Sequence, residues 1–259
     1  MAVSVKDMYD NDDLSVLDLE DELESPLDQM EPLEAEAEVP KPDPEAMLAL
    51  LRSADTQQRM IAARAFCELE DQRAIPHLIN SLTDACPLLR VSAAYALGRN
   101  PSPDAVEPLI TQLNRDWNGY VRKGVVWALG NCRDRRSLLP LTEALKMEIS
   151  AVRLWAASGL AQMAEVSYEA VVAAIPPLIE ALIQDPIAGV RSNCAWALGQ
   201  LCRELPSNVV YAGAIDGLIL ALEEDKDMGV REDAKASLLR VGDPRGLQVI
   251  EGLEQEGLL

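Results

Sequence analysis

The chain is poor in the residues on which catalysis most often rests. Its 259 residues include a single histidine, His77, and a single phenylalanine. A Ser/His/Asp or Cys/His site would have to use His77, which follows Pro76 in a helix-opening turn with no nucleophile motif beside it. His77 therefore reads as a surface helix residue. The five cysteines form no CxxC pair, so no zinc-type site is expected. Cys194 and Cys202 stand eight residues apart, about 12 Å along a helix axis, too far to share one metal ion. Cys67, Cys132, Cys194 and Cys202 read as small buried hydrophobes, and Cys86, just before Pro87, as the most exposed thiol. A glycine-rich phosphate loop is missing too. No catalytic residue, no metal and no resident cofactor are expected.

Positive charge is also scarce. The formal net charge is −20, and no basic stripe exists to displace counterions from a nucleic acid or to hold an anionic membrane. Residues 1–44 hold 15 acids against Lys6 and Lys41, a net of −13, while residues 45–259 hold 28 acids and 21 bases, a net of −7. The first stretch reads as an acidic, disordered tail, with LSVLDLEDELESPLDQM as a transient helix or binding motif within it. Acids stand where a signal peptide would carry a basic region and an apolar run, and no uncharged apolar run of about 18 residues is present. Unpaired cysteines without an export signal predict reduced thiols in the cytoplasm.

Aromatic residues make up only 4% of a chain that is 49% apolar. Small Ala, Leu and Val must then do the packing, which suits closely spaced helices better than stacked sheets. One frame recurs through the chain: LRVSAAYALG from Leu89, VRKGVVWALG from Val121 and VRSNCAWALG from Val190. Fainter copies place its Arg at 59, 153 and 231, so the steps between successive arginines are 31, 32, 31, 38 and 40. A second frame, a Leu-Ile pair closed by Leu, keeps step at Leu78, Leu109, Leu178 and Leu218. Two linked frames at one period predict an array of six helix-turn-helix repeats over residues 45–259, closed by a capping helix near 246–257. The expected fold is all-α, an α-solenoid. Pro76, Pro108, Pro140 and Pro176 are expected near the starts of first helices, and Gly98, Gly130, Gly199 and Gly242 at the ends of second helices.

The helical wheel divides the frame. Counting from the Arg, positions −1, 3, 4 and 7 share a packing face, as in Val190, Cys194, Ala195 and Leu198. An acid six residues before the Arg recurs at Asp84, Asp116, Asp185 and Asp225, and is expected to form a structural ladder with Arg90, Arg122, Arg191 and Arg231. Position 5 lies away from the packing face and carries Tyr95, Trp127 and Trp196, with Trp155 close by at position 2. With Arg99, Asn131 and Gln200 at position 9, these residues are expected to line a concave stripe that binds a protein partner.

The VRxxAxxALG and Pro-x-Leu-Ile frames, at a period near 31, resemble the HEAT-like repeats of the phycobilisome lyase family over about residues 45–257. That resemblance implies a cyanobacterial, non-catalytic scaffold or chaperone-like adaptor for a phycobiliprotein or an assembly factor of the antenna complex. It leaves two alternatives. One is a subunit of an E/F-type phycobilin lyase, handling a bilin in transit with a second HEAT-repeat chain. The other follows from an acidic tail ahead of the repeats, similar to that of the cyanobacterial IscA-interacting HEAT-repeat protein, and implies an iron–sulfur assembly partner sharing a cluster. Deoxyhypusine hydroxylase has the same repeat type but holds iron with His-Glu pairs; here Leu78 follows His77.

Overall fold

The structure, a computed structural model, describes residues 42–258; what the sequence suggests for residues 1–41 lies outside them. Thirteen α-helices and no strand occur among the described residues. They form six antiparallel pairs: α1 (Pro44–Leu51) with α2 (Thr56–Ala65), α3 (Ile75–Ser81) with α4 (Pro87–Arg99), and α5 (Pro103–Arg115) with α6 (Gly119–Asn131). Then come α7 (Leu138–Met147) with α8 (Ser150–Ala161), α9 (Tyr168–Gln184) with α10 (Ala188–Cys202), and α11 (Val209–Glu224) with α12 (Met228–Val241). A last helix, α13 (Pro244–Gln255), packs on α11 and α12 and closes the array. The all-α solenoid expected from the repeat frames is the fold observed.

Local chemistry starts many of the helices. The side chain of Asp43 accepts the N–H groups of Glu45 and Ala46 at the head of α1, where Pro44 has no N–H to satisfy. Ser102 caps α5 and Ser167 caps α9 in the same way. These caps explain a departure from expectation. Because α5 starts at Pro103 and α9 at Tyr168, Pro108, Pro176 and Pro177 fall inside helices rather than in their first turns. Each one removes an intrahelical hydrogen bond that tertiary packing has to offset.

The glycines need a larger correction. Gly242 does end α12 in the left-handed region, at φ 75°, and fits the expected cap. Gly98, Gly130 and Gly199 do not: they are helical and buried. A Cβ on Gly130 would lie 2.7 Å from the Cα of Gly159 on the next second helix, and one on Gly199 would lie 2.7 Å from Ser237 Oγ. A Cβ on Gly98 would run into the Trp127 ring. These glycines let each second helix approach the next. Successive second helices accordingly pack along their lengths, from α2 through α4, α6, α8 and α10 to α12, while successive first helices touch far less. The second helices form the tighter layer, and the core of Leu, Val and Ala lies between the two layers.

Gly130→Ala is expected to lower stability by about 1–3 kcal/mol, because the backbone of Gly159 cannot move aside without parting α6 from α8. Gly252→Ala, on α13 with open space around it, should instead add up to about 1 kcal/mol. Urea melts of the two variants check the contrast, which equal effects would remove.

Candidate functional site

Each second helix carries its Arg in the first turn, and the first five guanidiniums each reach two repeats at once. Arg90 donates from Nη1 to the Asp84 carbonyl of its own turn at 2.9 Å, and from Nε and Nη2 to both carboxylate oxygens of Asp116 in the next turn, at 2.7 and 2.9 Å. Arg191 repeats the arrangement, with Asp185 O at 2.9 Å and Asp225 at 2.7 Å on both bonds. Arg153 does so with the Glu148 carbonyl and Asp185, Arg122 with the Asp116 carbonyl and Glu148, and Arg59 reaches Asp84. The acids do double service. Asp84, Asp116, Asp185 and Asp225 each accept the N–H two residues on, which sets the turn that follows the first helix.

Two members of this row escape a fixed-spacing reading. Glu148 replaces Asp one residue closer to its Arg, and its extra methylene lets it make the same fork. Arg231 has no carboxylate partner among the described residues; its Nε donates to the Leu222 carbonyl at 2.8 Å, because no seventh turn follows to supply an acid. At the second junction the side chains of Arg90 and Asp116 are 8% and 1% exposed, against 20% and 16% for Arg59 and Asp84 at the first. Burial alone would raise the Asp116 carboxyl; the Arg90 fork, the Asn118 N–H and the Gln112 amide outweigh it and hold the group below the usual carboxylate range. Asp84, Asp185 and Asp225 are likewise held low.

On the other side of the second helices lie the rings. Tyr95 and Trp127 pair across α4 and α6 with centroids 5.4 Å apart and planes at 47°. They are half-buried rather than free-standing: Trp127 covers Gly98, and Tyr95 lies beside Gly124. Trp155 and Trp196 pack partly on the core. The Lys123 ammonium sits 5.6 Å above the Trp155 ring, a link from α6 to α8 that spacing alone does not reveal. Asn131 donates to the Gly98 carbonyl at 3.2 Å. The Gln200 amide, with its oxygen turned toward them, accepts from Trp196 Nε1 at 3.2 Å and from Arg240 at 2.9 Å. Arg99 is exposed at the end of α4, where it lines a recess of about 440 Å³ with Glu70, Gln72, Asn131 and Arg133. The structure thus brings Tyr95, Arg99, Trp127 and Asn131 together, and places Trp155 and then Trp196 with Gln200 further along the same layer.

A family profile for HEAT repeats matches residues 44–122, 106–175 and 149–238, which between them cover most of the chain. The chain belongs to the HEAT-repeat family. No curated relative matches the sequence. Among solved structures, an engineered protein is similar at 24% identity and a TM-score of 0.58, covering 77% of this chain and 98% of its own. A designed armadillo repeat protein in complex with a (KR)4 peptide is similar at 21% identity and a TM-score of 0.58, covering 76% of this chain and 98% of its own. The complex of CpcE and CpcF of phycocyanin lyase from Nostoc sp. PCC7120 is similar at 21% identity and a TM-score of 0.54, covering 89% of this chain and 99% of the other. These likenesses establish the fold.

Elsewhere on the HEAT array, all five cysteines are buried or half-buried, Cys86 included. Burial pushes the Cys202 thiol up to about 12 and raises Cys194, Cys67 and Cys132 as well, so none of these four is a ready thiolate. His77 accepts a hydrogen bond from Arg52 Nε at 3.1 Å. Among the described residues no cluster of three or more metal-ligating side chains forms, and no helix is long and apolar enough to cross a membrane. The most exposed large apolar side chains are not in the ring layer. Val209 (86% exposed) opens α11, and Met147 (85%), Trp117 (77%) and Tyr120 (75%) stand at the turns that join α5 to α6 and α7 to α8. The wheel gave them no part, although an aromatic in a turn such as Asp116-Trp117-Asn118 has no core to enter.

Asp116→Asn should cost about 3–5 kcal/mol, since it strands a buried guanidinium, while Arg231→Ala should cost only about 1 kcal/mol. The four depressed aspartates stabilise the fold fully above their unfolded pKa near ~3.9, and that contribution is lost as pH falls through their lower folded values. Unfolding midpoints from pH 7 down to pH 3 should therefore drop steeply below about pH 4, and less steeply in Asp116→Asn. A parallel drop in the two proteins would disprove the assignment.

Proposed function

We propose that the chain is a non-catalytic, chaperone-like scaffold whose second-helix layer grips a protein partner in phycobiliprotein or phycobilisome assembly. One observation carries the binding part: half-buried rings recur on a single face of a HEAT-repeat array, held by contacts between neighbouring repeats. Such rings lose little conformational freedom on binding and bury large area, the usual properties of interface hot spots. Tyr95, Trp127, Trp155 and Trp196 supply the apolar anchors, and Arg99, Asn131 and Gln200 the adaptable polar rim. The assignment to antenna assembly rests on the resemblance of the VRxxAxxALG frame and on the likeness to the CpcE–CpcF complex. That same likeness, two chains in complex, favours a second reading as one subunit of a phycobilin lyase.

Affinity purification from a lysate of phycobilisome-bearing cells, with an absorbance spectrum of the eluate, tests both readings. The scaffold is expected to be colourless when isolated and to carry a phycobiliprotein or an assembly factor out of the lysate. Covalent, red-absorbing adducts formed from bilin, apoprotein and a second HEAT-repeat chain would replace it with the lyase reading. Trp196→Ala should weaken partner binding about 10–30-fold with helix content kept. Trp127→Ala should also lower the melting temperature, because it uncovers Gly98. Unchanged binding in both variants would remove the rings from the interface.

A further inference from the structure

The chain holds 43 acids, yet α2, α4, α6, α8 and α10 contain no Asp or Glu between them. Their cations are of two kinds. Arg59, Arg90, Arg122, Arg153 and Arg191 are each engaged by a turn carboxylate and contribute no free charge. Arg64, Arg99 and Lys123 are not: no carboxylate pairs with them among the described residues, and all three lie on the side of the rings. Arg64 occupies position 5 of its repeat, the place held by Tyr95 and Trp127 in the next two. Acids return at the margins: Glu68, Glu70 and Asp71 in the loop after α2, Asp134 after α6, Glu165 after α8, where it pairs with Arg133 at 2.7 Å, Glu204 after α10, and Glu232 and Asp233 on α12. Within a strongly acidic protein the second-helix layer of the first five repeats is a cationic, aromatic strip.

We propose that this strip binds an acidic, leucine-bearing peptide segment of the partner, in extended conformation across repeats one to four. The inference rests on the binding face proposed above and specifies the chemistry it selects. Charge complementarity gives the sign, and the rings give the apolar component. Geometry gives the spacing. Packed helices lie about 8–10 Å apart, and an extended peptide rises about 3.3 Å per residue, so one carboxylate about every third residue matches one repeat per step. At physiological salt the screening length is about 8 Å, shorter than the width of the array, so the local strip rather than the overall charge governs a bound peptide.

Fluorescence anisotropy with the full-length chain in ~0.15 M salt tests this. The probe is a labelled (Glu-Leu-Ser)4 peptide. Its comparators are (Gln-Leu-Ser)4, (Lys-Arg)4 and a single-stranded oligothymidine. The acidic peptide is expected to bind at least 10-fold tighter than each comparator. Arg99→Glu and Lys123→Glu should each weaken it about 5-fold, and Arg115→Glu, at the exposed end of α5 and off the strip, should leave it unchanged. Preference for (Lys-Arg)4, preference for the oligonucleotide, or indifference to Arg99→Glu and Lys123→Glu would each overturn the inference. A lysate partner captured through Trp196 while (Glu-Leu-Ser)4 fails to bind would overturn the acidic specificity and leave the scaffold standing. Peptide binding with no partner recovered would do the reverse.

Discussion

Everything in this array hangs on one bond pattern: a guanidinium that holds the backbone carbonyl of its own turn and the carboxylate of the next. A HEAT-type pair of short helices cannot bury its apolar face alone, so stability resides at the junctions between repeats. The Arg fork ties each junction with two charge-assisted bonds of fixed direction, and the carboxylate in turn sets the loop that aims the next second helix. Lysine could not do this, since a point charge fixes distance but not orientation. The row ends where the turns end, at Arg231, and α13 takes over by covering the last apolar face.

The fork fixes direction; glycine fixes distance. Gly130 against Gly159, and Gly199 against Ser237, bring consecutive second helices closer than any Cβ would permit. The first helices are in looser contact, so the two layers pack unequally. That close approach is what brings the half-buried rings of successive repeats into contact. The two devices are separate in chemistry and meet on the same helices, eight positions apart in the frame.

The fold was legible because repetition multiplies weak signals. No single helix from α2 to α12 announces itself, but six aligned copies of one frame place an Arg in the first turn of every second helix. What repetition hid was the use of individual residues. Glycine near a helix end looks the same in sequence whether it caps the helix or admits a neighbour, and only the position of Gly159 on the next helix separates the two. The wheel placed Trp127 away from its own partner helix, correctly, but could not show that the preceding repeat covers it. Glu148 breaks the spacing that defined its class and keeps the function, since a longer side chain at a shorter offset reaches the same guanidinium. Trp117 and Tyr120 fall outside the frame altogether, and a periodic reading is blind to whatever does not recur.

The distribution of charge separates structure from selection. Acids close to the ladder arginines on the second helices would compete for the forks, so the ladder itself explains their exclusion from the first turn. It does not explain the rest of the helix. Position 9 lies about 13 Å along the axis from the Arg, beyond competition, and a solvent-facing acid there would cost the fold little. Yet five helices carry none, and Arg64 and Arg99 occupy such outer positions. A chain this rich in Asp and Glu, filling exposed sites without preference, would place several on this layer. Their absence is a property of the face rather than of the fold, and a face that excludes one sign of charge is suited to a partner that carries it.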